Sequence, residues 1–215
     1  MFDNKPKQDV NELALEYLEQ KYGEKFEYYA PAGASYTGTR TFLATCESLG
    51  DKTVVVQIVN YKSEDRQFKD NYLELKYADR LYDYFCQIIG KQFDEFKLFY
   101  YPMGMSLTAD LPADAPFEDY LKDPSNNISN VMVVAKKSDY KDKTQLSQIL
   151  ETIASECAAE KLLVTVLVLD DSKYVDCELE EARAICNAVN GKFYYAQGEI
   201  LRAGGKTSID YYGGE

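Results

Sequence analysis

Apolar residues recur along this chain in two rhythms, and the change of rhythm marks its elements. From Thr53 to Asn60, Val54, Val56 and Ile58 would point one way and Val55, Gln57 and Val59 the other. A strand largely apolar on both faces belongs inside a sheet. Beyond a charged connector, Leu75, Ala78, Leu81, Tyr82, Phe85, Ile88 and Ile89 recur at spacings of three and four. That rhythm predicts the longest amphipathic helix of the chain. Leu73, Tyr77 and Tyr84 form a flanking stripe, and Glu74, Lys76, Asp79, Arg80 and Asp83 supply its wet side.

Ahead of this pair, Asp9 followed by Glu12 resembles a capping box, and Val10, Leu13, Ala14, Tyr17 and Leu18 give a helix one apolar face. Gly23 stops it. A short strand is expected over Lys25 to Ala30, ended by Pro31, with a loop of small residues running to Thr39. Arg40 to Glu47 alternates as a strand and turns at 49–52 into the valine-rich one. Strands so closely linked favour an antiparallel meander. A strand over Glu95 to Tyr101 is expected to close this half, and Pro102 to Pro116, without periodicity, reads as the connection.

The second half has a different grain. Pro116 suits the first position of a short helix through Leu121. Val131 to Ala135 is an apolar run. Lys143 to Glu160 has Leu146, Ile149, Leu150, Ile153, Ala154 and Cys157 on one helical face, and Leu162 to Leu169 is the most hydrophobic strand. Strand, helix and strand of this kind imply a parallel pair with a crossover. Asp176 is expected to cap a further helix through Val189, and Lys192 to Arg202 with Lys206 to Tyr212 reads as a hairpin around Gly204 and Gly205. The fold class is therefore α+β. Residues 1–101 form a meander half with packed helices, 102–115 a connector, and 116–215 a βαβ-containing half closed by a C-terminal hairpin, with one continuous domain as the alternative. Internal repeats and low-complexity tracts are absent from the sequence.

Composition narrows the function. A net charge of −12 and a pI near 4.6 repel a phosphate backbone, so nucleic acid is not expected as a partner. No apolar run approaches the ~20 residues of a membrane helix. The polar Met1 to Asp9 lacks the apolar segment of a secretory signal, which predicts a soluble cytoplasmic chain, or a cell-envelope protein if an anchor has been removed. Histidine is absent, and with it the commonest general base and metal ligand. Cys46, Cys86, Cys157, Cys177 and Cys186 are odd in number and lack paired short spacings, which argues against a disulfide framework or a zinc knuckle. The 19 tyrosines suit sheet faces, core margins and contact surfaces alike.

Each candidate chemistry has an ordinary structural counterpart. Gly33 and Gly38 are spaced as in a phosphate loop, yet Thr39-Arg40 stands where Lys and Ser or Thr are needed, and a strand follows instead of a helix. Gly204-Gly205-Lys206-Thr207 echoes the end of that motif but is explained by a hairpin turn. Asp170 and Asp171 end the most hydrophobic strand, where open α/β sheets place ligands, and with Asp176 they are the candidate Mg²⁺ or Ca²⁺ ligands. Acidic residues before a helix also serve its N-terminus. Asp110, Asp114, Glu118, Asp119 and Asp123 could hold paired catalytic carboxylates or form a solvated helix start. Tyr28, Tyr29 and Tyr36, near the small-residue loop, are the candidate ligand-binding residues.

The runs Ala14 to Tyr28 (ALEYLEQKYGEKFEY) and Phe68 to Tyr77 (FKDNYLELKY) resemble segments of a group of uncharacterised proteins from Firmicutes, a likeness lying mainly in residues 14–77. The resemblance implies no catalytic or binding residue. Some members of that group look like lipoproteins, which would place a relative at the envelope. The residues themselves favour a non-catalytic interaction or accessory module with another protein as partner and no cofactor. A metal-assisted hydrolase built on Asp170 and Asp171, and a small-ligand binder built on the tyrosines, are the alternatives.

Overall fold

The computed structural model describes residues 9–34, 38–100, 107, 111–186 and 194–213. It is α+β, with two sheets, and divides into two compact units, residues 1–76 with 104–116 and residues 77–103 with 117–215.

The first unit opens with helix α1 (Val10–Tyr22), capped by Asp9, whose side chain accepts from Asn11 N at 3.0 Å. Gly23 ends it at φ +71°, a left-handed conformation that glycine adopts without a Cβ penalty. Four antiparallel strands follow in chain order: β1 (Phe26–Ala34), β2 (Arg40–Cys46), β3 (Val54–Val59) and β4 (Gln67–Asp70). Alternation along β2 and β3 buries Phe42, Ala44, Cys46, Val54, Val56 and Ile58. Ala14 and Leu18 of α1 are buried as well.

Four expectations for this stretch need correction. Pro31 does not end β1, which runs on to Ala34. As an edge strand with register shifts at Tyr28/Ala30 and Pro31/Gly33, it can hold a residue that has no N–H to donate. The connector contains strand β4, too short and polar to carry a period. The long helix is two, α2 (Tyr72–Lys76) and α3 (Ala78–Ile89), separated by Tyr77 at φ −97° and ψ 5°. Glu74, assigned to the wet side, is 3% exposed. The amide of Asn71 explains it: its Oδ1 accepts from Val55 N at 2.7 Å and its Nδ2 donates to Glu74 Oε2 at 3.2 Å, which turns this face of α2 inward.

The second unit carries a five-stranded sheet in the order β5-β6-β7-β8-β9. Strand β5 (Phe96–Tyr100) pairs antiparallel with β6 (Ile128–Lys136), so it opens this sheet instead of closing the meander. Tyr101 lies outside the described residues. Tyr77, ahead of α3, packs against Phe117 and Tyr120 of helix α4 (Phe117–Lys122), with ring centroids 5.5 and 5.2 Å away. Helix α5 (Lys143–Glu156) connects β6 to the parallel strand β7 (Leu162–Leu169), as expected. Asp142 caps α5 by accepting from Gln145 N at 2.9 Å, and the helix buries the predicted Leu146, Ile149, Leu150, Ile153 and Ala154. The hairpin forms as β8 (Ala196–Ala203) and β9 (Lys206–Gly213), with Gly204 and Gly205 at φ +58° and +74° in its two-residue turn.

Two contacts fix the hairpin to α5. A Cβ at Gly198 would lie 2.4 Å from Leu150 Cδ1, so glycine is what lets the helix approach β8. Arg202 reaches the helix end, donating to Cys157 O at 2.7 Å, Ala159 O at 2.9 Å and Ala154 O. A guanidinium there satisfies carbonyls the helix leaves open and suits its dipole. Asp176 does not cap a helix: the chain after β7 folds into α6 (Asp171–Asp176) and α7 (Leu179–Cys186), and Asp176 is the last residue of the first. Val189 lies outside the described residues. Met132, Val134, Leu167, Leu169, Tyr174, Cys177, Ala182 and Ile185 form one buried cluster that holds these two helices on the sheet.

Candidate functional site

The carboxyl ends of β6 and β7 are the first place to seek a site. Alternate β-strand residues face opposite ways. Leu150 of α5 packs against Gly198, opposite Val166 in the register, whereas α6 and α7 pack on the face of Leu167 and Leu169. Helices leaving two parallel neighbours to opposite faces open a crevice at the strand ends, the usual ligand position of an α/β sheet.

Here the chain's own groups span that crevice. Asp171 Oδ1 accepts from Ser138 N, past the end of β6, at 3.0 Å. This backbone donor, aided by Lys136, holds the Asp171 carboxyl below the usual carboxylate range. Lys137 Nζ lies 3.5 Å from Asp170 Oδ1 and 4.1 Å from the ring centre of Tyr195. Asp176 is exposed at the far end of α6, about 7.5 Å along the axis and about 140° around it from Asp171. Asp170 and Asp171 are thus neighbours at the crevice and Asp176 is not brought to them. Among the described residues, no three His, Cys, Asp or Glu side chains group so as to hold a metal ion.

Tyr28 and Tyr29 stand on β1. Tyr28 is 43% exposed, its ring stacked 5.4 Å from Phe42, and Tyr29, at the register shift, is 64% exposed. Tyr36 lies outside the described residues, as does Asp110. Of the remaining acidic set, Glu118 lies 3.6 Å from Arg80, and Asp123 accepts from Ser125 N at 2.7 Å.

Sequence reasoning missed a dense polar cluster that ties α1 to β4 and α2. Asp70, fully buried, receives Tyr22 OH at 2.6 Å, Tyr72 N at 3.1 Å and Lys21 Nζ at 3.0 Å. Burial, followed by the Asp70 charge, pushes the Tyr22 hydroxyl far above its ordinary value. The rings of Tyr22 and Tyr72 stack at 4.0 Å, which carries the network to Glu24. Glu24 receives Tyr72 OH and Ser48 Oγ at 2.6 Å each and Ser48 N at 3.2 Å. Burial raises the Glu24 carboxyl, and the donors from Ser48 and Tyr72 more than reverse it, leaving it below its ordinary value. Tyr72 is pushed up to about 12, by burial and then by its bond to Glu24. Only the sequence-local Tyr72 N contact, at a separation of two, offered any signal for this cluster; the other partners of Asp70 lie 48 and 49 residues away.

Chemically the cluster is a clasp. A carboxylate held by three donors and depressed in pKa is a poor base for Ser48 at neutral pH, because proton transfer needs a base matched to the working pH. Beside it, a hollow of about 380 Å³ is lined by Lys25, Glu27, Thr45, Cys46, Glu47 and Gly50, with Lys25 paired to Glu27 at 3.0 Å. A hollow of about 300 Å³ in the second unit is lined by Arg80, Asp83, Tyr84, Gln87, Phe117 and Glu118. Neither hollow is lined by Tyr28 or Tyr29. Burial raises all five free thiols, Cys186 to about 11, which works against the thiolate that a nucleophilic cysteine needs. No helix among the described residues is long and apolar enough to cross a membrane.

No family model matches this chain, and no curated protein does. Among solved structures it is similar to the crystal structure of a DUF5037 family protein from Ruminococcus gnavus, at 15% identity and a TM-score of 0.42, over 94% of this chain and 95% of that one. The likeness is too low to carry a fold or a residue's role across.

Proposed function

We propose that this protein is a non-catalytic interaction module that binds another protein through the tyrosine-bearing edge of its first unit. The carrying observation is the β1 edge, where Tyr28 is braced on Phe42 and Tyr29 is carried outward at the register shift. A braced tyrosine offers a large ring with a polar tip at small entropic cost, which is what contact surfaces favour. The satisfied carboxylates of the two polar clusters and the raised thiols support the same reading, because they leave those groups poorly suited to proton transfer or nucleophilic attack. Replacing Tyr29 by a photo-crosslinking phenylalanine analogue tests the proposal in cells. Covalent adducts with a defined protein, reduced by Tyr28→Ser in a chain of unchanged circular dichroism, support it. Absence of adducts from Tyr29, with adducts from an equally exposed control position such as Val175, contradicts it.

A further inference from the structure

We propose that β9 is a self-association edge through which two copies of this chain pair antiparallel and continue the five-stranded sheet across a twofold axis. The inference goes beyond the proposed function and uses a different unit. A sheet edge presents a row of unpaired backbone groups, and proteins usually blunt it. Among the described residues, three of the four edges are blunted or short: β1 carries Pro31 and two register shifts, while β4 and β5 have four and five residues. Strand β9 is different. It is the last in its sheet, and all eight residues from Lys206 to Gly213 are in continuous register with β8, with no shift and no proline.

The two-residue turn sets which backbone groups are free. Lys206 opposite Ala203 closes the hairpin, so Lys206, Ser208, Asp210 and Tyr212 exchange bonds with β8. Thr207, Ile209 and Tyr211 therefore turn their N–H and C=O groups outward. A twofold axis at Ser208 sets Thr207 opposite Ile209 of the second copy, both outward-bonding, and gives about four new backbone hydrogen bonds. It also sets Lys206 opposite Asp210 of the second copy at both ends. Both side chains are exposed, and neither makes an ion pair with a described residue. This charge complementarity is what selects a second copy of the chain as the occupant. A single added strand pair buries less than the ~1,200 Å² of stable interfaces, so the dimer is weak.

Sedimentation equilibrium of the full chain up to submillimolar concentration tests the proposal. The expected result is a concentration-dependent dimer, weakened roughly five- to tenfold by Lys206→Asp or Asp210→Lys and restored when both are present. These positions are exposed, so the variants keep the fold. Ser208→Cys is expected to give a disulfide-linked dimer on mild oxidation, because residues directly opposite in such a pair lie within disulfide reach. Tyr28→Ser with Tyr29→Ser leaves the dimer constant unchanged, which separates this proposal from the preceding one. A chain monomeric throughout the range, or a dimer indifferent to the charge exchange, overturns it.

Discussion

Asp70 gives the sharpest test of how the first unit holds together. Its carboxylate is fully buried and receives Tyr22 OH, Tyr72 N and Lys21 Nζ, while the Lys21 side chain is 11% exposed. Asp70→Ala leaves one cation and two donors without this acceptor. Breaking a buried pair from one side typically costs about 3–5 kcal/mol. The rings of Tyr17 and Tyr22 lie 5.4 and 5.0 Å from Lys21 Nζ and still offer it some stabilisation, so the lower end, about 3 kcal/mol, is expected. Asp70→Asn keeps an acceptor for Tyr22 and Tyr72 and loses the charge opposite Lys21, for which about 1–2 kcal/mol is expected. Urea unfolding followed by far-UV circular dichroism and tyrosine fluorescence measures both losses, and hydrogen exchange at the β3 and β4 amides reads them in the first unit alone. An Asp70→Ala chain within about 1 kcal/mol of the parent, or an Asn variant as damaged as the Ala one, refutes the clasp.

Three further outcomes follow from the same structure. Gly198→Val drives a side chain into Leu150, where a Cβ alone would sit 2.4 Å from Cδ1, and is expected to cost at least about 1–3 kcal/mol in urea unfolding; adding Leu150→Ala should recover part of that loss. Arg202→Lys cannot reproduce the planar fork on Ala154, Cys157 and Ala159 and should lower stability by about 1–2 kcal/mol, with hydrogen exchange faster in the last turn of α5; unchanged exchange there contradicts this. Stability should fall in alkali: Cys186 is raised from 9.0 to about 11 and Tyr72 from 10.0 to about 12, so both ionise first in the unfolded chain. Their contribution is complete below about pH 9 and lost by about pH 12, and a melting temperature that is flat over that window contradicts it.

Much of the fold was legible because its strongest elements are both long and continuous in pattern. Leu162 to Leu169 needs apolar residues on both parities because helices cover both faces of β7, and that run reads directly as a strand. The apolar stripe of α5 and the paired glycines of the last hairpin are legible for the same reason: one local rule decides each. What escaped reading was decided by partners distant in sequence. Tyr77 breaks a periodic helix beside its packing against Phe117 and Tyr120, and Glu74 turns inward because Asn71 is fixed to Val55. The candidate site divides along the same line. Asp170 and Asp171 were placed at a strand end by pattern alone, but the bond from Ser138 N to Asp171 spans 33 residues. The Asp70 clasp carried no periodic signal, since its strand has four residues and only Phe68 among them is apolar.

Donors of this chain hold the Glu24 and Asp171 carboxyl groups below the ordinary values for their residue types. Carbon-detected NMR titration of the Glu24 and Asp171 carboxyl groups measures this directly. Because both are depressed, the bonds they accept stabilise the fold above the ordinary carboxylate range and are lost as the pH falls through their own lower values. Each should therefore titrate below the ordinary value for its residue type. Titration of either group above that value, as in a carboxyl poised to act as a general acid, contradicts the account.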